Sequence, residues 1–278
     1  MVLKRLFQRG ETRSTGPVGP SVGGHPPRLP RGVRIYAIGD IHGRADLLTR
    51  MHAMIDADRR ADPGDRQDLI VYLGDYVDRG FESRRVLDLL LDEPPEDATR
   101  VLLIGNHDLW FREFLKDPTL GVDWVKHGGD ATLLSYGARL DLTQDEDRRF
   151  RAAQAQALER VPERHVRLLH DLELAFSLGD YFFVHAGIRP GLPLEQQTSE
   201  DLLWIREPFL GHAGELTKVV VHGHTVEPQP VTRRHRIGID TGACYTGRLT
   251  CLVLEGEQRR FLTTEAVAPA PARSTVDG

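Results

Sequence analysis

A chain of 278 residues, 40% of them hydrophobic and 28% charged, has apolar mass for one sizeable core, so one catalytic domain with tails fits better than two small domains. Two cysteines, Cys244 and Cys251, are too few for a disulfide scaffold or a zinc knuckle, and no uncharged apolar run reaches the roughly 18 residues a membrane helix requires. The net charge of −5 is split unevenly, with +5 in residues 1–32 and −10 in the rest; an acidic body argues against a nucleic-acid groove and suits carboxylates awaiting cations.

Residues 1–32 hold six basic residues, one acid and many Gly and Pro, a composition that reads as a flexible tail. Their opening, Lys4 to Phe7, lacks the apolar stretch of a secretory signal and resembles an organellar transit peptide only weakly, so the cytoplasm is the expected location. Beyond the tail, short β-rich runs alternate with amphipathic helical patterns, as in an α/β domain. Residues 33–38 (VRIYAI) form a predicted strand ending at Gly39-Asp40, followed by a helix from about Arg44 to Arg59. Residues 69–73 (LIVYL) end at Gly74-Asp75 and lead to a helix through Val86 and Leu91. Residues 100–104 (RVLLI) end at Gly105-Asn106-His107, before a helix whose Trp110, Phe111 and Phe114 recur at core spacing. Residues 144–172 read as helical; 181–184 (YFFV) then run into His185-Ala186-Gly187, and 218–221 (KVVV) into His222-Gly223-His224-Thr225. Residues 236–240 and 249–254 are expected to pair across the turn at 241–247, and residues from about Glu265 form a second loose end.

A strand that ends in Gly and a metal-capable side chain is the recurring theme, and in open α/β sheets such carboxyl ends converge on one crevice. Asp40 and His42 lie two apart, so in extended backbone their side chains leave on one side and can grip one cation. Asp75 offers two oxygens and can bridge a pair of cations; Asn106, His185 and His224 complete a second set. Mixed nitrogen and oxygen donors suit manganese, iron or zinc over calcium. Taken singly, a Gly-Asp after a strand is more often a turn than a ligand. Core packing, however, has no use for ionisable side chains at successive strand ends.

As a set, GDIHG (39–43), GDYVDRG (74–80), GNHD (105–108), HAG (185–187) and GHT (223–225) resemble the signatures of the calcineurin-like metallophosphoesterases, within them the bacterial and phage serine/threonine protein phosphatases. The resemblance covers about residues 33–256 and implies a two-sheet αββα sandwich over 33–264 with its site at the strand carboxyl ends. It implies two divalent metal ions, manganese first: one held by Asp40, His42 and Asp75, the other by Asp75, Asn106, His185 and His224. A hydroxide shared by the metals would attack phosphorus, with His107 protonating the leaving alkoxide, Asp78 orienting that imidazole, and Arg79 and Arg206 binding phosphate oxygens. His222 precedes the matched position and is expected to be structural, and Trp204 to be packing. Residues 126–136 (KHGGDATLLSY) resemble a Gly-Gly segment expected on the rim, where His127 is either a surface residue or a substrate contact.

The expected substrate is a phosphorylated protein or a small phosphoester. Asp78, Thr225 and the Trp204-Ile205-Arg206 segment favour phosphomonoesters. Ile104 and Asp108, with the 185–190 and 240–252 segments, lean toward the symmetrical diadenosine tetraphosphate hydrolases, the alternative reading. An inactive binding scaffold comes third, since every expected ligand is present.

Overall fold

The computed structural model describes residues 20–264. In chain order the elements are β1 (Val33–Ile38), α1 (Ala45–Ala61), β2 (Gln67–Tyr72), α2 (Ser83–Asp92), β3 (Thr99–Leu102), α3 (Asn106–Phe114), α4 (Gly121–Lys126), α5 (Gly129–Ser135), α6 (Glu146–Arg160) and α7 (Glu163–Asp171). They continue with β4 (Ala175–Leu178), β5 (Tyr181–Val184), α8 (Ser199–Trp204), β6 (Val219–His222), β7 (Val231–Thr232), β8 (Arg236–Gly238), α9 (Ala243–Thr246), β9 (Thr250–Glu255) and β10 (Gln258–Thr263). Two five-stranded sheets result, ordered β10-β9-β1-β2-β3 and β4-β5-β6-β8-β7.

Alternation along the strands builds the sandwich. Ile35, Ala37, Val71, Leu252 and Leu254 of the first sheet meet Tyr181, Phe183, Val219, Val221 and Ile237 of the second in one buried layer. The opposite faces of the same strands carry Tyr36, Ile38, Ile70 and Tyr72, which pack under α1, α2 and α3. On the far side of the second sheet, Phe182, Val184 and Val220 are covered by Leu202, Ile205 and Phe209. The expected αββα layering is therefore present, with the heavier helical layer on the first sheet. Parallel pairing of β1, β2 and β3, and of β5, β6 and β8, points six carboxyl ends the same way within their sheets.

Three sequence expectations need correction. Residues 236–240 and 249–254 do not pair with each other: β8 runs parallel to β6, whereas β9 lies antiparallel to β1 and to β10. The intervening turn crosses from one sheet to the other, with Gly242 and Gly247 both left-handed; β9 gains a full partner on each side, which a local hairpin would deny it. The helical run 144–172 breaks between α6 and α7 at Val161-Pro162, because proline cannot donate the helical hydrogen bond. Finally, residues 20–32 of the expected flexible tail are fastened to the body. Leu29 is buried in the inter-sheet layer and its N–H bonds Gly256 O at 2.9 Å, while Arg28 N–H bonds Asp180 at 3.0 Å and Ser21 N–H bonds Arg234 O at 2.9 Å. The rest of that tail, residues 1–19, and the second loose end, 265–278, lie outside the described residues. Among the described residues no helix is long and apolar enough to cross a membrane.

Candidate active site

Sharp turns, rather than regular elements, carry the polar side chains at the strand ends. His42, Asp75, Asp78, Arg79 and His224 all have left-handed φ, between 45° and 73°. Non-glycine residues rarely adopt this conformation, and strain of that kind persists where surrounding bonds over-determine it, typically at functional sites. Here the bonds are main-chain ones: Ile41 N–H and His42 N–H both donate to Asp75 O (3.1 and 2.8 Å), and Gly80 N–H donates to His42 O (3.1 Å).

These turns gather a compact set of donors. His42 Nδ1–H donates to Val77 O and His185 Nδ1–H to Leu73 O, each at 2.9 Å, so in both rings Nε2 is left as the lone-pair nitrogen. His42 Nε2 lies 3.4 Å and His185 Nε2 3.5 Å from Asp75 Oδ2. Asn106 Oδ1 lies 2.9 Å from His185 Nε2 and 3.0 Å from His224 Nδ1. Acceptor thus faces acceptor at His185, an arrangement that a bound cation reconciles. His224 Nε2 is buried without a hydrogen-bond partner. Ligand atoms of Asp75, His185 and His224 lie within 4.8 Å of one another, as do those of His42, Asp75 and His107. Asp75 is common to both groups.

Electrostatics point the same way. Burial pushes His42 down to about 3 and His224 to about 2, and lowers His185, so the imidazoles are neutral at physiological pH, as metal ligation requires. Burial, and next the neighbouring charges of Asp240 and Asp75, raise Asp40; burial raises Asp240 to about 6. The charge of Arg79 offsets this in part for Asp40 and Asp240, but buried carboxylates are costly without fuller compensation, and the donor set fits divalent cations. Asp40 stands just outside the two triads, its carboxylate accepting His224 N–H at 3.0 and 3.2 Å.

Beside the triads, His107 Nδ1–H donates to Asp78 Oδ2 at 2.7 Å, with Asp78 fully buried. Arg79 reaches across both imidazoles, its Nη1 2.6 Å from His42 Nε2 and its Nη2 3.0 Å from His107 Nε2. Asp75, Asn106, His107, His224, Arg79 and Arg206 line a cavity of about 110 Å³ whose walls are Trp110, His127 and Trp204.

All ten residues singled out from the sequence converge on this region. Trp110 and Trp204 pack against the core, as expected, and in addition line the cavity, with ring centroids 4.7 Å apart edge to face and Trp204 6.4 Å from His224. Phe111 and Phe114 are core, as expected. His127, left open between two roles, lies 4.7 Å from Trp110 on the rim. His222 is buried and held by Gly223 O and Arg236, away from both triads. Sequence reasoning read Asp108 only as a sign of substrate preference and missed that its carboxylate accepts the N–H groups of Asp75, Tyr76 and Gly105 at 2.7 to 2.9 Å. Its place at the third position of α3 is the signal for such a role. Asp240 was missed too, although it ends a strand as Asp40 does.

Residues 33–248 match the sequence profile described as calcineurin-like phosphoesterase. The chain is 29% identical over 225 residues to serine/threonine-protein phosphatase 1 of Salmonella typhimurium, covering 78% of this chain and 89% of that protein. It is 30% identical over 189 residues to the symmetrical bis(5'-nucleosyl)-tetraphosphatase of Methylococcus capsulatus, covering 68% of this chain and 51% of that one. Among solved structures, a candidate diadenosine tetraphosphatase shares the fold, with a TM-score of 0.58 at 19% identity over 84% of this chain and 98% of that one.

Proposed function

Because the chain belongs to the calcineurin-like phosphoesterase family and is a metal-dependent phosphatase, we propose that it is a two-metal phosphomonoesterase acting on phosphoserine or phosphothreonine in proteins, or broadly on small phosphomonoesters. In this reading Asp40, His42 and Asp75 hold one ion, and Asp75, Asn106, His185 and His224 the other; the mixed nitrogen and oxygen donors suit manganese, iron or zinc, and the family resemblance puts manganese first. Such ions polarise the phosphoryl oxygens and acidify the attacking water.

The observation that carries the reading is the His107–Asp78 pair, 2.7 Å apart, beside a cavity of about 110 Å³ with two arginines in its lining. That volume suits a single phosphoryl group. Phosphate oxygens would take over as acceptors for Arg79 from the two imidazole nitrogens it now bonds, which frees His107 Nε2 to take up a proton from solvent and pass it to the leaving alkoxide. Arg206, also in the lining, would hold the same group. Asp78 keeps Nδ1 protonated and the ring fixed. The two unpaired cysteines suit a reducing, cytoplasmic setting.

A second reading, hydrolysis of a dinucleotide polyphosphate, is favoured by the aromatic wall of Trp110, His127 and Trp204, which offers flat faces to a base. Manganese-loaded protein given a phosphoserine peptide and diadenosine tetraphosphate decides between them. We expect higher kcat/KM on the peptide. A preference of about tenfold or more for the dinucleotide, about 1.4 kcal/mol in the transition state, would reverse the order.

A further inference from the structure

Asp78 and Arg79 are consecutive non-glycine residues with left-handed φ, 73° and 67°, so something outside their own turn must hold them there. Most of what holds them comes from residues 121–135. Asp78 N–H donates to Thr132 Oγ1 at 2.8 Å and to Ser83 Oγ at 3.1 Å. Thr132 Oγ1–H returns a bond to Asp78 Oδ1, and Trp124 Nε1–H donates to Asp78 Oδ2, each at 2.7 Å. Arg79 N–H donates to Gly128 O at 3.0 Å.

The donors are themselves immobile. Trp124 has no exposed surface, lies nearly parallel to Phe111 at 5.5 Å and packs on Phe114 at 4.7 Å. Thr132 is buried and also contacts Ser83 Oγ at 3.0 Å. The Gly128-Gly129 pair explains how α4 and α5 come so close: a β-carbon at Gly129 would lie 2.3 Å from the Trp124 ring, and one at Gly128 2.9 Å from Arg79. Both carboxylate oxygens of Asp78 are thus fixed by residues of α4 and α5, and Oδ2 is shared between Trp124 Nε1–H and His107 Nδ1–H.

We propose that Trp124 and Thr132 are positioning residues of the leaving-group acid, acting through Asp78 to fix the His107 ring, so that α4 and α5 set how poor a leaving group the enzyme expels. The inference rests on the reading of His107 as the acid. Proton donation matters most for an alkoxide and least for p-nitrophenolate, which separates positioning from general structural damage.

The test compares manganese-loaded full-length variants on a phosphoserine peptide and on p-nitrophenyl phosphate. Thr132→Val keeps the side chain's shape but removes both bonds; Trp124→Phe keeps a ring in the core but removes the donor. Each should lower kcat on the peptide by about tenfold, a fraction of what a general acid contributes, with KM, manganese content and kcat on p-nitrophenyl phosphate little changed. Thr132→Ser, which preserves both bonds, should restore the wild-type ratio. Should Thr132→Val not fold, Trp124→Phe carries the comparison against Thr132→Ser. Asp78→Asn is the control: if it fails to discriminate between the two substrates, the acid reading itself falls. If Asp78→Asn discriminates while the Thr132 and Trp124 variants slow both substrates equally or neither, the positioning role is wrong.

Discussion

Gly105 shows how little room the strand ends leave around Asp75. A β-carbon there would stand 2.1 Å from Asp75 Oδ1 and 2.3 Å from its backbone nitrogen. Its φ of −96° is ordinary for any residue, so the requirement is one of space and not of conformation. Gly105→Ala is therefore expected to push Asp75 off its place and to weaken manganese binding about 10- to 100-fold, the range typical for disturbing a ligand's supports. Titration calorimetry on the metal-free protein measures this directly. Wild-type affinity in the alanine variant would remove Asp75 from the proposed metal centre. Asp108 belongs to the same scale. Its carboxylate collects three backbone N–H groups, including that of Asp75, so the loop after β2 and the start of α3 are tied together by one side chain. The sequence displays Asp108 plainly, but only the folded chain reveals that two of its three partners, Asp75 and Tyr76, lie 33 and 32 residues upstream.

At the scale of elements, legibility followed locality. β1 and β5 coincide with their predicted runs, and β2 and β6 fall within two residues, because each is a short apolar run closed by glycine or a polar ligand. The pairing of β8 and β9 was misread because nearness in sequence suggests a hairpin, whereas burial of Leu252 and Leu254 against the second sheet decides the matter in favour of β1. Residues 126–136 were read only as a rim, and Trp124 of α4 was not singled out at all, because no periodicity signals a tryptophan that bonds an aspartate 46 residues away. Composition also misjudged residues 20–32. Proline and glycine discourage helices and strands, but an extended strap needs neither. This strap bonds the β9–β10 turn through Leu29 N–H and the β4–β5 turn through Arg28 N–H, so it links the two sheets at one end of the sandwich. Burying one leucine side chain contributes about 2 kcal/mol, and each net hydrogen bond about 1 kcal/mol. A chain beginning at Val33 should then melt about 8 to 16 °C below one beginning at Pro20, from a loss of about 4 kcal/mol. Equal melting temperatures by calorimetry would show that the strap adds no stability.

Over the whole molecule, buried histidine is the dominant titratable feature, and it reaches beyond the active site. His52 lies under α2, with Nδ1–H donating to Glu93 O at 3.1 Å and Tyr72 O–H donating to Nε2 at 2.9 Å. His222 is held between Gly223 O and the Arg236 guanidinium. Burial pushes His52 down to about 4; burial, then the charge of Arg236, pushes His222 down to about 3. Both depressed values lie below the unfolded value near 6.5, so above that pH neither group costs stability. Below it the unfolded chain binds protons that the native state refuses, and stability falls as pH falls until the folded values are reached. At about 1.4 kcal/mol per unit and group, the two together remove about 4 kcal/mol between pH 6.5 and 5. The raised carboxyls of the metal-free site, Asp40 and Asp240, act in the opposite sense, so the histidine contribution is read as the difference between wild type and His52→Gln, which keeps a polar side chain but cannot take up the proton. Relative to that variant, the wild-type urea midpoint should be level from pH 7.5 to 6.5 and drop below that. A difference that stays level down to pH 5 would mean that His52 accepts a proton in the native state. The same neutrality is what the proposed metal centre requires of His42, His185 and His224, whose depressed values let protons compete for their nitrogens in the folded chain only well below the range in which acid destabilises the fold, so between pH 6.5 and 5 bound manganese should be lost only with unfolding.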